Sequence, residues 1–136
     1  MDVTLALLAD AANLSVEGKL NLLGIFNTVY APTFPASHPQ MQLVLQFRAT
    51  PAEVGRKRTI EVEFRDADGK KLGSTVAQLV VPKGEPGHPI QVGHIIAISG
   101  LRLEKPGDYE FHILVDRDDK EQIPLKAMLA TRSQKR

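Results

Sequence analysis

The chain has 136 residues, 43% of them hydrophobic and 24% charged, with 17 basic and 16 acidic side chains that leave a formal charge of +1. That length suits one domain, and the balance of apolar and charged residues excludes disorder over most of it. Near-neutrality argues against nucleic acid, whose recognition draws on a basic excess or stripe, and the lack of cysteine removes disulfides, thiolate metal sites and cysteine nucleophiles together.

Met1-Asp2-Val3-Thr4 lacks the cationic start of a signal peptide. No run approaches the roughly 20 apolar residues that span a bilayer, so the expectation is a cytoplasmic protein without membrane attachment. Val3 to Ala11 reads as a first strand in which Asp10 interrupts an apolar run and points to solvent, and Leu20 to Tyr30 reads as a second with a bend or bulge at Gly24. Ala31 to Gln40 holds Pro32, Pro35 and Pro39, which makes it a stiff, extended connection.

Met41, Leu43, Leu45 and Phe47 then alternate with Gln42, Val44, Gln46 and Arg48, a period of two that sends one set to a core and the other outward. Thr50-Pro51-Ala52-Glu53 has the cap, first-position proline and third-position acid of a one-turn helix start, ended by Gly55. Ile60, Val62 and Phe64 alternate with Glu61, Glu63 and Arg65. A three-residue loop, Ala67-Asp68-Gly69, with Gly69 in the left-handed region, leads into Leu72 to Val81. That loop would set Phe64 opposite Leu72, Val62 opposite Ser74 and Ile60 opposite Val76, all on the core side.

A second proline-rich connection, Pro82 to Pro89, precedes a long strand from Ile90 to Leu103 with bends or bulges at Gly93 and Gly100. Tyr109 to Val115 alternates again, Asp116 to Lys120 turns, and Ile123 to Met128 closes the sheet region. Pro124 there implies an edge strand or an outward-facing rim position. The fold expected is all-β, a two-layer antiparallel sandwich of about eight strands over residues 1–130, followed by a flexible basic tail at 131–136.

Two resemblances support this class. Leu8-Ala9-Asp10-Ala11-Ala12-Asn13, the run from Glu17 to Phe26, Pro106-Gly107-Asp108-Tyr109-Glu110-Phe111, Val115-Asp116 and Ile123-Pro124-Leu125 together resemble a family of small bacterial proteins known only as a domain of unknown function. That resemblance implies no activity, cofactor or catalytic residue. Gly107-Asp108-Tyr109 is also similar to the tyrosine corner of immunoglobulin-like sandwiches, which implies that Tyr109 opens the seventh strand and bonds back to nearby backbone. The Cys pair and Trp of that fold are absent, and another sandwich or an open barrel fits the same pattern.

Chemistry-bearing residues do not form a catalytic pattern. Ile98-Ser99-Gly100 lacks the glycine spacing of a nucleophile elbow. The histidines, His38, His88, His94 and His112, contain no short ligand-spaced pair. Asp66-x-Asp68-Gly69 opens like a calcium loop but reaches Ala77 at its twelfth position, and Asp116, Asp118, Asp119 and Glu121 read as a solvated turn. No catalytic residue, metal or cofactor is assigned.

The expected function is a non-enzymatic protein-interaction or binding module, a candidate subunit of a larger assembly or a self-associating chain. Its contact face would include the outward apolar residues Val44 and Leu114. The alternative is a small-ligand or carbohydrate site made by the two proline-rich loops with Tyr30, Phe34, His38 and His88, which requires both loops at one end of the sandwich.

Overall fold

The computed structural model describes residues 1–130, so the tail expected at 131–136 lies outside the described residues. The described residues form nine strands: β1 (Asp2–Leu14), β2 (Leu20–Phe26), β3 (Thr28–Ala31), β4 (Ala36–Ala49), β5 (Lys57–Arg65), β6 (Lys71–Val80), β7 (Ile90–Leu103), β8 (Gly107–Val115) and β9 (Asp118–Leu129). Apart from a single 3-10 turn at Pro51–Glu53, no helix occurs among the described residues, and none is long and apolar enough to cross a membrane. The ninth strand arises because the chain expected to run unbroken from Leu20 to Tyr30 leaves one sheet at Phe26 and enters the other at Thr28.

The sheets have the orders β2-β1-β4-β7 and β3-β9-β8-β5-β6. All pairings are antiparallel except β3 with β9, which is parallel. Tyr109 is 4% exposed near the start of β8, and its hydroxyl donates to the Lys105 carbonyl at 2.7 Å, the bond expected of a tyrosine corner, one strand later in the count. Gly107, with φ 150°, opens that strand.

Alternation builds the core as read from the sequence. Met41, Leu43, Leu45 and Phe47 of β4 and Tyr109, Phe111, Ile113 and Val115 of β8 are buried in one cluster with Ile60, Val62 and Phe64 of β5. Phe64 stacks on Tyr109 at 5.3 Å and tilts against Phe111 at 4.8 Å, so three aromatic rings share the centre of the larger sheet's inner face. Pro124 is exposed in β9, which lies between β3 and β8 rather than at an edge; β3 begins pairing only at Lys126, two residues beyond the proline.

The β5–β6 register differs from the sequence expectation. Ile60 pairs with Ala77, Val62 with Thr75 and Phe64 with Gly73, with an irregularity between Phe64 and Arg65. The connection is longer than three residues. Asp66 N–H donates to the Lys70 carbonyl at 3.0 Å, and Asp66 Oδ1 accepts from the Asp68 and Lys70 amides at 3.0 and 2.9 Å. Gly69, at φ 82°, supplies the expected left-handed residue. Side chains alternate with period two, so this slip of one residue turns every side chain of β6 over. Leu72, Ser74 and Val76 face outward, and Gly73, Thr75 and Ala77 face inward.

Candidate functional site

The two sheets meet unequally at their margins. Among the described residues, β6 and β7 each end their sheet, so each presents one edge without a neighbouring strand. The inward positions of β6 beside the aromatic cluster are small, namely Gly73, Thr75 and Ala77, and they do not fill the space there; Leu79, farther along, packs against the core. A cleft of about 280 Å³ remains there, lined by Val62, Phe64 and Phe111 from the larger sheet and by Ile98 and Leu101 from β7.

β6 carries few of the devices that normally protect an edge strand, and its one irregularity, where Phe64 pairs with Gly73 and Arg65 with Lys71, falls at its start. It is ten residues long, contains no proline, and carries one charged side chain, Lys71, at its start. Its outward side chains Leu72, Val76 and Val80 are 42%, 60% and 53% exposed. They line up beside the polar row Lys57, Thr59, Glu61 and Glu63 of β5, because Glu61 pairs with Val76 and Glu63 with Ser74.

A second apolar surface, the outer face of the smaller sheet, is covered by the chain itself. Val44 pairs with Leu7 on one side and Ile95 on the other, all on that outer face, yet Val44 and Ala9 are 0% exposed. The cover is the far half of the β1–β2 hairpin. By the register Leu8↔Leu43 and Ala9↔Gln42, a straight β1 would set Leu14 opposite Ser37, whereas Gly93 pairs with Gln46. Those levels differ by nine residues, about 30 Å at the rise of an extended strand. Nevertheless a Cβ at Gly93 would lie 2.7 Å from Cδ2 of Leu14 and 3.2 Å from Cδ2 of Leu20. The hairpin therefore folds back over the outer face as an arm. Its bend lies where Gly24, at φ 71°, stands across from Asp10, whose side chain occupies the space a Gly24 Cβ would need. Gly93 marks this close approach of the arm and not a bulge, since the β4–β7 register is continuous through it.

The proposed contact face of Val44 and Leu114 is accordingly corrected. Val44 is buried beneath the arm on one sheet, and Leu114 is half-buried on the outer face of the other, so the two share no surface. The loop site is corrected too. The first proline-rich loop precedes Ala36, which pairs with Leu103, and the second precedes Ile90, which pairs with Ala49. These points lie at opposite ends of β4, about 43 Å apart along an extended strand. Tyr30 and His38 line one small cavity with Ser37, His38 tilts against Phe26 at 5.8 Å, and Phe34 packs against the core. His88 is at the far end and meets none of them.

Several charged side chains brace turns. Glu53 accepts from the Thr50 amide at 2.7 Å, from Arg58 Nη2 at 2.6 Å and from the Met1 amino group at 2.9 Å. These bonds, that of the Thr50 amide foremost, hold its carboxyl at about 2, well below the ordinary 4.5. Arg58 also donates to Asp116 Oδ2 at 2.9 Å, while Asp116 Oδ1 accepts from the Thr59 amide at 3.0 Å; the amide bond and the guanidinium lower the Asp116 carboxyl. His112, 8% exposed on the outer face of β8, has ring nitrogens 2.8 Å from Asp119 Oδ2 and 3.0 Å from Glu110 Oε2. Asp116, Asp118 and Asp119 thus turn to Arg58, Lys120 and His112 in turn rather than to a shared ion. Among the described residues, no group of three or more His, Asp or Glu converges so as to hold a metal ion.

Sequence reasoning missed β6 as the distinctive element. The available signal was the near absence of charge from Leu72 to Val81 together with small residues at alternate positions. A family model described as a family of unknown function (DUF6941) matches residues 4–128. No curated protein matches the chain.

Proposed function

The chain belongs to DUF6941, a family of unknown function, and on that premise we propose that it is a non-enzymatic protein-binding module, of the cytoplasm, which takes an extended segment of a partner at the open margin between β6 and β7. The observation that carries this reading is the uncapped edge of β6 beside an apolar cleft. A strand added to an edge makes main-chain hydrogen bonds along its length and places alternate side chains in the neighbouring groove. Here the groove is ready-made, because Gly73 and Thr75 leave the flank of Phe64 and Phe111 open. The cleft, at about 280 Å³, falls just under the usual size of a small-molecule pocket, which favours one or two side chains of a peptide over a free ligand. The charged groups elsewhere support the same reading, since Glu53, Arg58, Asp66 and Asp116 are engaged in holding turns.

Hydrogen exchange tests the reading. Amides on the free side of β6 should exchange quickly in the isolated protein at high dilution, where no second copy is bound, and become protected over residues 71–80 when the native partner is bound. Protection confined to the arm or to the proline-rich loops, with β6 unchanged, would overturn it.

A further inference from the structure

We propose that the extended segment, in the absence of any other partner, is β6 of a second copy of this chain, paired antiparallel so that Val76 lies opposite itself. This rests on the reading of β6 as an open edge and adds an occupant and a register. A twofold axis through Val76 sets Leu72 against Val80 of the second copy and Ser74 against Gln78 on the outer face. On the inner face it sets Gly73 against Leu79 and Thr75 against Ala77. Apolar thus meets apolar and polar meets polar outside. Inside, Gly73, where the cleft opens, stands opposite Leu79 of the partner strand, which packs against its own core and leaves no clash at the seam.

Charge does not oppose the pairing. Between Leu72 and Val80 no side chain is charged, and the net charge of +1 gives two copies little mutual repulsion. Side chains directly opposite across a strand pair are close enough to pack on one another. The alternative centres are poorer. Pairing about Gly73 or Ser74 brings Lys71 inside the paired stretch and leaves Val80 without an opposite residue in β6. A ten-residue edge makes an interface at the small end of the known range, below the roughly 1,200–2,000 Å² of stable complexes. The dimer is therefore expected to be concentration-dependent.

The chain has no cysteine, so single substitutions report directly. A residue on the twofold axis meets its own copy. Val76→Cys should therefore form a disulfide-linked dimer under mild oxidation at least tenfold faster than Val16→Cys, which sits fully exposed on the arm tip. Ser74→Cys alone should be slow, and a mixture of Ser74→Cys with Gln78→Cys should link as a heterodimer. Wild-type mass should rise with concentration, and Val76→Lys should stay monomeric with an unchanged melting temperature. Cross-linking of Val76→Cys no faster than Val16→Cys, or a faster reaction of Ser74→Cys alone, overturns the dimer. A monomer whose β6 amides are nonetheless protected by another protein ends this inference and leaves strand addition standing.

Discussion

Two apolar surfaces of this sandwich have opposite fates. The outer face of β1, β4 and β7 is covered by the chain's own β1–β2 arm, and Val44 and Ala9 vanish from solvent beneath it. The outer row of β6, with Leu72, Val76 and Val80, is left exposed by the described residues, and its small inner residues Gly73, Thr75 and Ala77 leave a cleft. Val44 and Val76 are the same residue type on outward positions of strands, yet one is core and the other surface. The difference teaches that an outward apolar side chain marks an interaction surface only after intramolecular cover has been accounted for.

The sharpest test of that contrast is a pair of matched substitutions. Val44→Asp places a carboxylate in a sealed apolar layer and should destabilise the fold by about 3 kcal/mol or more. Chemical denaturation would read this, and a change within experimental error would mean that the arm does not seal the face. Next in size is Glu53→Gln, which leaves Arg58 with one acidic partner and weakens a set of charge-assisted bonds. A loss of about 1–3 kcal/mol is expected near neutral pH.

That second effect has a defined pH dependence. The folded-state pKa of Glu53 is depressed, so its contribution is complete above the ordinary value of 4.5 and is lost as pH falls toward about 2. The gap in stability between wild type and Glu53→Gln should therefore close over that interval, and a constant gap would refute the assignment. His94 acts in a higher range. It faces inward from β7, and burial lowers its pKa. Folded protein then resists protonation that the unfolded chain accepts, and stability should fall as pH drops below 6.5, less so in His94→Gln.

Smaller still is Gly93→Leu, which would drive a side chain into Leu14 and Leu20. Lifting the arm should cost about 1–2 kcal/mol and raise amide exchange over residues 10–25. Smallest is Val76→Asp, the counterpart of Val44→Asp on the bare edge, expected within about 0.5 kcal/mol of wild type. Its effect should appear only in the concentration dependence of mass.

Much of the fold was legible in the chain. Met41 to Phe47, Ile60 to Phe64 and Tyr109 to Val115 declare buried and exposed sides by strict alternation, and Thr50 to Glu53 and Tyr109 form the local bonds their neighbours imply. The candidate site was not. The β5–β6 hairpin reads equally well with a three-residue loop, whereas the chain adopts the longer turn, closed by the Asp66 amide on the Lys70 carbonyl and by the Asp66 carboxylate on the Asp68 and Lys70 amides. With that choice the inward and outward rows of β6 exchange places.

The sequence by itself determined the class: period-two patterning, turn residues at the right spacing and no helical rival lead to layered antiparallel sheets. Those are short-range properties, set by the geometry of neighbouring residues. Only the tertiary structure decided that the arm turns back over Val44, that the two proline-rich loops lie at opposite ends of β4, and that β6 is left at an edge. Each depends on which strands become neighbours. That is settled by burial summed over the whole chain, and no local pattern encodes it.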